Sequence, residues 1–308
     1  MKNVLIATTT FALFSNKSIR LLESEGYTVS YNDKQRKLTK REVLDIVPNY
    51  VGIIAGTEIY DREVLAKAKK LKVISRVGVG LDNIDLQVAS EKNIKVSKTN
   101  TTPSIAVAEL TLGLILDLLR KISYQNKNFK NGIWQKEMGC LLNGKTLGIV
   151  GLGNIGKTLV NITQGFDLKY LAYDLIEDKN FASGKNIEYC SLDVLLSRAD
   201  IVTVHLSINE HNQDLINYDR LSKMKPISLL INTSRGEVIN ENDLLRALNE
   251  NIIAGAGLDV YQNEPYNGAL STFENVITTP HIGAYAMETR NAMEYEAVQN
   301  LLNGLNDE

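Results

Sequence analysis

The sequence predicts an α/β fold of two doubly wound parallel-sheet domains with a cleft between them. Three observations lead there. Short apolar runs alternate with amphipathic stretches along the whole chain, as parallel strands covered by helices require. One run, Thr146-Leu147-Gly148-Ile149-Val150, stops at Gly151-Leu152-Gly153-Asn154-Ile155-Gly156 and gives way to Leu159, Val160 and Ile162 at helical spacing. The length of 308 residues exceeds that at which single hydrophobic cores usually stop growing, so two domains are expected.

In the first hundred residues the apolar runs place strands at 4–7, 28–31, 51–54, 73–75 and 95–96, with helices at 16–24, 40–47, 61–69 and 86–91. This half has no glycine fingerprint of its own. Pro103 opens a long helix over 104–121 that is apolar on nearly every side, which calls for burial on more than one face. It is read as the crossing between domains and a contributor to a dimer contact. Trp134 is assigned to packing. Strands follow at 146–150, 168–173, 201–204, 229–232, 255–258 and 276–278, connected by helices near 192–197, 218–224 and 242–249. A final helix runs from about 285 to 304.

The formal net charge of -2 offers no electrostatic footing for nucleic acid or an anionic membrane. Lys34, Arg36, Lys37, Lys40 and Arg41 form the one basic cluster, read as a solvated loop and helix start with Glu42 and Asp45 to offset it. Cys140 and Cys190, the only cysteines, have no metal-ligand or redox spacing, which fits a reducing, cytoplasmic setting without a metal. No signal-peptide h-region or membrane-length apolar run is present.

A pyrophosphate needs backbone N–H groups aimed at it from a helix N-terminus, and side chains on the turn would hold the anion away. Gly151 and Gly153 permit the tight turn and close approach, and Gly156 lets helix and strand pack, the Rossmann arrangement. The next strand ends in Asp174, about 20 residues on, where a carboxylate accepts from a ribose 2′-hydroxyl and repels a 2′-phosphate. With Leu175 and Ile176 following and no arginine, the cofactor is read as NAD rather than NADP.

Ligands of doubly wound sheets gather at the carboxyl ends of the strands. Arg235, Glu264 and His281 each lie just past such an end. An alcohol losing hydride to a nicotinamide must also lose a proton, and an imidazole, with its ordinary pKa of about 6.5, holds or releases one at neutral pH. A guanidinium binds a carboxylate with its planar fork and polarises the neighbouring oxygen. Glu264 is expected to hydrogen-bond the imidazole, fix its tautomer and stabilise its charged form. His211, in Asn209-Glu210-His211-Asn212, reads as solvent-exposed. Two loops of the first half can face a ligand: Gly56-Thr57-Glu58, and Arg76-Val77-Gly78-Val79-Gly80, whose glycines expose amides beside an arginine as a nest for a small carboxylate.

Gly151–Gly156, Asn232-Thr233-Ser234-Arg235-Gly236, Gly257-Leu258-Asp259-Val260 with Glu264-Pro265, and Thr279-Pro280-His281-Ile282-Gly283-Ala284 together resemble the D-isomer-specific 2-hydroxyacid dehydrogenase family. Ser75–Asp85 and Ala106-Val107-Ala108-Glu109-Leu110 resemble its phosphoglycerate dehydrogenase branch, in a form without a C-terminal regulatory domain. The resemblance spans nearly the whole chain. It implies Arg235, Glu264 and His281 as the catalytic set. It also implies Gly151, Gly153, Asn154, Ile155, Gly156, Asp174, His205, Thr233 and Asp259 at the cofactor, with Asp259 on the carboxamide. Arg76, Val77, Gly78 and Val79 fall at the substrate.

It further implies a discontinuous, flavodoxin-like substrate domain (1–100 plus 281–308), a Rossmann NAD-binding domain (101–280), and a homodimer joined through the latter. The chain departs from the family where many phosphoglycerate dehydrogenases carry a phosphate-holding arginine and this one has Ala55-Gly56-Thr57. His205-Leu206-Ser207 replaces the usual His-Leu-Pro, and Lys98-Thr99-Asn100 the Asn-Thr-Pro turn. The expected reaction is hydride transfer between NAD and a D-2-hydroxy acid, 3-phosphoglycerate first and an unphosphorylated acid such as glyoxylate or hydroxypyruvate as the alternative. An NADH-responsive binding protein on the same scaffold is the reading from another class.

Overall fold

The computed structural model describes residues 2–34, 36–100 and 103–306. The chain divides into two compact units, Met1–Thr102 with Tyr285–Glu308, and Pro103–Ala284. In chain order the first contains β1 (Asn3–Ile6), α1 (Lys17–Ser24), β2 (Thr28–Tyr31), α2 (Lys40–Ile46), β3 (Gly52–Ala55), α3 (Arg62–Lys67), β4 (Val73–Arg76), α4 (Leu86–Glu91) and β5 (Lys95–Lys98). The second opens with α5 (Ser104–Arg120) and α6 (Ile122–Lys130), then β6 (Thr146–Val150), α7 (Asn154–Thr163), β7 (Lys169–Tyr173), α8 (Lys179–Ser183), β8 (Ile187–Tyr189), α9 (Leu192–Arg198) and β9 (Ile201–Val204). It closes with α10 (Tyr218–Leu221), β10 (Leu229–Asn232), α11 (Glu241–Asn249), β11 (Gly255–Leu258) and β12 (Val276–Thr278), and α12 (Met287–Asn306) belongs to the first unit.

The first unit is a parallel sheet in the order β2-β1-β3-β4-β5. Central β3 is buried at every residue, whereas edge strands β2 and β5 are exposed at both ends, which is why only the central runs read as continuously apolar. On one face Leu5, Ile53, Ile74, Val64 and Leu65 form the core. The other face is covered by α12, where Leu301 lies against Gly52 and the Ser75 hydroxyl donates to the Ala297 carbonyl at 2.7 Å. Helix α2 starts with a reciprocal capping box between Thr39 and Glu42. The basic cluster beside it is a solvated face: Arg36 pairs with Glu42 (2.7 Å), and Lys40 with Asp61 (2.6 Å) and Glu63 (2.7 Å).

The second unit is a parallel sheet in the order β12-β11-β10-β9-β6-β7-β8. Successive residues feed opposite faces. Val150, Val202, Val204 and Leu230 join one core with α9 and α11, while Leu147, Ile149, Ile201 and Ile231 join the other with α5 and α7. Buried Val107, Thr111, Leu114, Ile115 and Leu119 line α5.

Several details differ from the expectations. Strand β5 runs on to Lys98 because its ladder with β4 continues through Ser75↔Ser97 and Arg76↔Lys98, although those side chains are polar. Strand β8 and helix α6 went unread, the first being three residues long and the second burying none of its side chains. Trp134 is 79% exposed and meets Phe129 at a tilt of 56°, with ring centroids 5.6 Å apart, so it is not a core residue of the single chain. Residues 281–284, expected in the substrate domain, group with the second unit because the Ile282 and Gly283 amides bind Asp259. No described helix is long and apolar enough to cross a membrane.

Gly148 marks a close strand-to-helix contact of the second unit: a β-carbon there would stand 2.5 Å from Leu195 Cδ2 and 2.9 Å from Ala199 Cβ. Gly148→Val should therefore overpack this face and cost about 1–3 kcal/mol, read as a lower urea midpoint with native secondary structure retained.

Candidate active site

The strand order of the second unit reverses between β6 and β9, and a doubly wound sheet opens a ligand crevice at that point. The glycine turn follows β6 directly. Gly151 has φ +98°, and a β-carbon on it would lie 2.8 Å from the His205 carbonyl oxygen, so only glycine is accommodated. At Gly156 a β-carbon would meet the Gly151 carbonyl at 2.7 Å, which sets the approach of α7 to its strand. At Gly153 it would meet nothing within 4 Å: that side of the turn is open.

Asp174, just past β7, accepts from the Leu152 amide (2.8 Å) and the Ile176 amide (3.1 Å). A pocket of about 690 Å³ is lined by Leu152, Gly153, Lys157, Asp174 and Ile176 among others. The Leu175 and Ile176 side chains are more than four-fifths exposed, apolar surface set beside an acid. Lys157, the cation closest in sequence to the turn, is paired with Asp178 at 2.6 Å. An open glycine turn at a helix start, a ribose-accepting carboxylate and apolar surface for a base together fit NAD.

His205 follows β9, its amide bonded to the Val150 carbonyl at 2.8 Å. Neither ring nitrogen has a partner among the described residues, and burial alone pushes the imidazole down to about 4, so it is neutral at physiological pH. Thr233, past β10, shares a buried hydroxyl contact of 2.9 Å with Thr111 of α5.

Arg235, Glu264 and His281 come from three successive strand ends that the backbone draws together. Asn232 accepts from the Ser234 amide (3.0 Å) and hydroxyl (2.8 Å) and donates to the Arg235 carbonyl (2.8 Å), closing the turn that presents Arg235. A β-carbon at Gly236 would collide with the Tyr261 carbonyl group, so the Arg235 turn lies directly on the Tyr261 backbone. The Tyr261 hydroxyl spans the Leu258 and Thr279 carbonyls, 3.0 Å from each. The Tyr261 amide donates to Glu264 Oε1 at 3.2 Å, and Glu264 Oε2 lies 2.8 Å from His281 Nδ1.

His281 has φ +55°, left-handed backbone that a non-glycine residue adopts only when its surroundings impose it. The imposing group is Asp259. Fully buried, it accepts from the Thr279 hydroxyl (2.5 Å), the Ile282 amide (2.8 Å) and the Gly283 amide (2.8 Å), on both sides of the histidine. Burial pushes the Asp259 carboxyl up, opposed by those three bonds and by His281. The sequence reading had Asp259 on the carboxamide. Here both its oxygens are engaged within the chain, and its visible work is to shape the His281 turn.

In the first unit the Val77 amide donates to the Ala55 carbonyl (2.9 Å) and the Gly78 amide to the Thr99 hydroxyl (3.1 Å), so both amides of the expected carboxylate loop are engaged within the unit. Gly78 has φ +150°, and the Arg76 guanidinium folds over its α-carbon where a β-carbon would be. Glu58 went unassigned in the sequence reading although its loop was singled out, because burial of a turn acid leaves no local signal. It is 2% exposed and accepts from the Gly56 amide at 2.8 Å.

Residues 112–283 match the family model for the D-isomer specific 2-hydroxyacid dehydrogenase NAD binding domain. A glyoxylate reductase of Thermofilum pendens is 41% identical over 255 residues, covering 80% of this chain and 75% of that protein. A D-3-phosphoglycerate dehydrogenase of Methanocaldococcus jannaschii is 36% identical over 296 residues, covering 93% of this chain but 56% of the longer relative. The structure of D-lactate dehydrogenase from Aquifex aeolicus, complexed with NAD and lactic acid, superposes with a TM-score of 0.84 at 26% identity, covering 98% of this chain and 95% of that one. With the glycine turn and its acid in place, the chain belongs to the D-isomer specific 2-hydroxyacid dehydrogenase family and is an NAD-dependent enzyme of 2-hydroxy acids.

Proposed function

We propose that the protein reduces a short, unphosphorylated 2-oxo acid with NADH, glyoxylate to glycolate or hydroxypyruvate to D-glycerate. The observation that carries the chemistry is the 2.8 Å contact between Glu264 and His281 Nδ1. It supports a tautomer in which Nδ1–H donates to the carboxylate and Nε2 exchanges a proton with substrate.

When bound, NADH supplies hydride to the carbonyl carbon. His281 then delivers a proton from Nε2 to the carbonyl oxygen and takes it back in the reverse direction. Glu264 keeps the ring in one tautomer and orientation. Arg235, held by the Asn232 turn, takes the carboxylate in its planar fork and polarises the adjacent carbonyl. In this reading Arg76, Val77, Gly78 and Val79 are substrate residues. His205 and Thr233 serve the cofactor.

The sequence reading placed 3-phosphoglycerate first. Two observations support the unphosphorylated alternative instead: the glyoxylate reductase relative, and the absence of a cation at Ala55-Gly56-Thr57. The phosphoglycerate reading keeps Arg76 and the archaeal dehydrogenase relative in its favour. A homodimer belongs to the same proposal, because Ile122, Phe129, Ile133, Trp134, Met138 and Leu141 are exposed in the single chain, apolar surface that association would cover.

Comparing kcat/KM with NADH for glyoxylate, hydroxypyruvate and 3-phosphohydroxypyruvate decides between substrates: an unphosphorylated acid should lead, and a lead for the phosphorylated one would reverse the assignment. His281→Ala should lower kcat by roughly 10²–10⁴ while NADH still binds, as followed by fluorescence titration; wild-type turnover would remove the histidine from the reaction. Light scattering should give twice the 34.2 kDa chain mass, and Trp134→Glu should shift the mass toward the monomer.

A further inference from the structure

We propose that Asp178 strengthens the discrimination against a 2′-phosphorylated dinucleotide by holding the ammonium of Lys157 in an ion pair at the ribose pocket of the second unit. The sequence reading placed that discrimination on Asp174 alone. The pair is a second determinant, and it acts whichever acid is the substrate.

The pocket of about 690 Å³ beside the glycine turn is lined by residues of the second unit alone. Asp174 stands on its wall, fixed by the Leu152 and Ile176 amides at 2.8 and 3.1 Å. The segment after it brings Glu177, Asp178 and Lys179 to the same wall, and Lys157 enters from the first turn of α7. A 2′-phosphate carries about -1.5 to -2 near neutral pH, so among these acids it needs a cation within reach. Lys179 is a poor one: its side chain is 83% exposed, it lies 3.9 Å from Glu177, and water screens it. Lys157 is the better placed.

Its ammonium is already committed. Nζ donates to Asp178 Oδ2 at 2.6 Å and lies 5.5 Å from the centre of the Phe181 ring. A lysine in the first turn of a helix faces the positive end of the helix dipole, so it gains from a neighbouring anion. Asp178 is a fixed one. Its Oδ1 accepts from the Phe181 amide at 3.0 Å as the N-cap of α8, and its own amide donates to the Tyr189 hydroxyl at 2.9 Å. Lys157 and the Phe181 amide hold the Asp178 carboxyl below its ordinary range. An incoming 2′-phosphate therefore competes for Lys157 with a carboxylate already in place, beside Asp174 and Glu177. A bland role for Asp178, capping α8, needs only an acceptor oxygen, which asparagine or serine also has.

Asp178→Asn separates the two roles. NADH and NADPH are titrated against the full-length protein by fluorescence, for wild type, Asp178→Asn, Asp178→Ser, Lys157→Met and the double variant Asp178→Asn with Lys157→Met. Wild type should favour NADH. The Asn and Ser variants should reduce that preference about tenfold by tightening NADPH, a gain between the weak attraction of charges in bulk water and the stronger one at a protein surface. Lys157→Met should keep or sharpen the wild-type preference, and the double variant should lose the gain, because the released lysine supplies it. Competition by 2′,5′-ADP, which carries only the adenosine end, should follow the NADPH values. Asn and Ser variants that melt cooperatively within twofold of the wild-type preference would overturn the proposal. So would a double variant that keeps the gain, 2′,5′-ADP binding that does not follow NADPH, or failure of both single Asp178 variants to fold, which would make the acid structural.

Discussion

A parallel strand cannot turn back on its neighbour; it must be reached by a crossover that lies on one face of the sheet. Both sheets of this protein are built under that constraint. Each strand pair is parallel from β1 to β12, so every carboxyl end in a sheet points to the same edge. The glycine turn follows β6, Asp174 follows β7, His205 follows β9, Arg235 follows β10, Glu264 follows β11 and His281 follows β12. Residues more than a hundred positions apart share an edge because the ladder geometry leaves them no other. The same holds in the first unit, where Gly56 and Glu58 follow β3 and the Val77-Gly78-Val79 loop follows β4.

Within that frame, a single buried carboxylate decides how the histidine is shown. Asp259 has no exposed surface, and a carboxylate taken out of water needs donors. It takes them from Thr279, Ile282 and Gly283, and the chain between those donors has to accept a left-handed residue at His281. The cost of that backbone, of the order of 1–3 kcal/mol, is carried by hydrogen bonds to a charged group, each worth more than a neutral one. Tyr261 completes the brace, reaching the Leu258 and Thr279 carbonyls with its hydroxyl while its amide steadies Glu264. Glu264 and His281 are 17 positions apart yet meet with hydrogen-bond geometry through these supports.

The two units handle buried acids differently. Asp259 accepts from three donors of its own loop, which oppose the burial that pushes its carboxyl up. Glu58 accepts from the Gly56 amide, and burial pushes its carboxyl up against the pull of backbone amides, Lys37 and Arg76.

Much of this was legible in the residues alone. Apolar runs located the central strands because those strands are buried on both faces, and the glycine turn with Asp174 announced its ligand because only backbone amides and an acid suit it. The Arg235, Glu264 and His281 positions were readable as polar groups just past apolar runs. Strand β8, the polar end of β5 and the exposure of Trp134 were not, because each depends on a neighbour supplied by another part of the chain. Nor could the sequence show that Gly78 spends its amide on Thr99, that Asp259 accepts from its own loop, or that Glu58 is buried. Local pattern reports which side chains prefer to leave water. Which donor meets which acceptor is settled only when distant segments are packed, since a hydrogen bond is a matter of distance and direction in space and not of position along the chain.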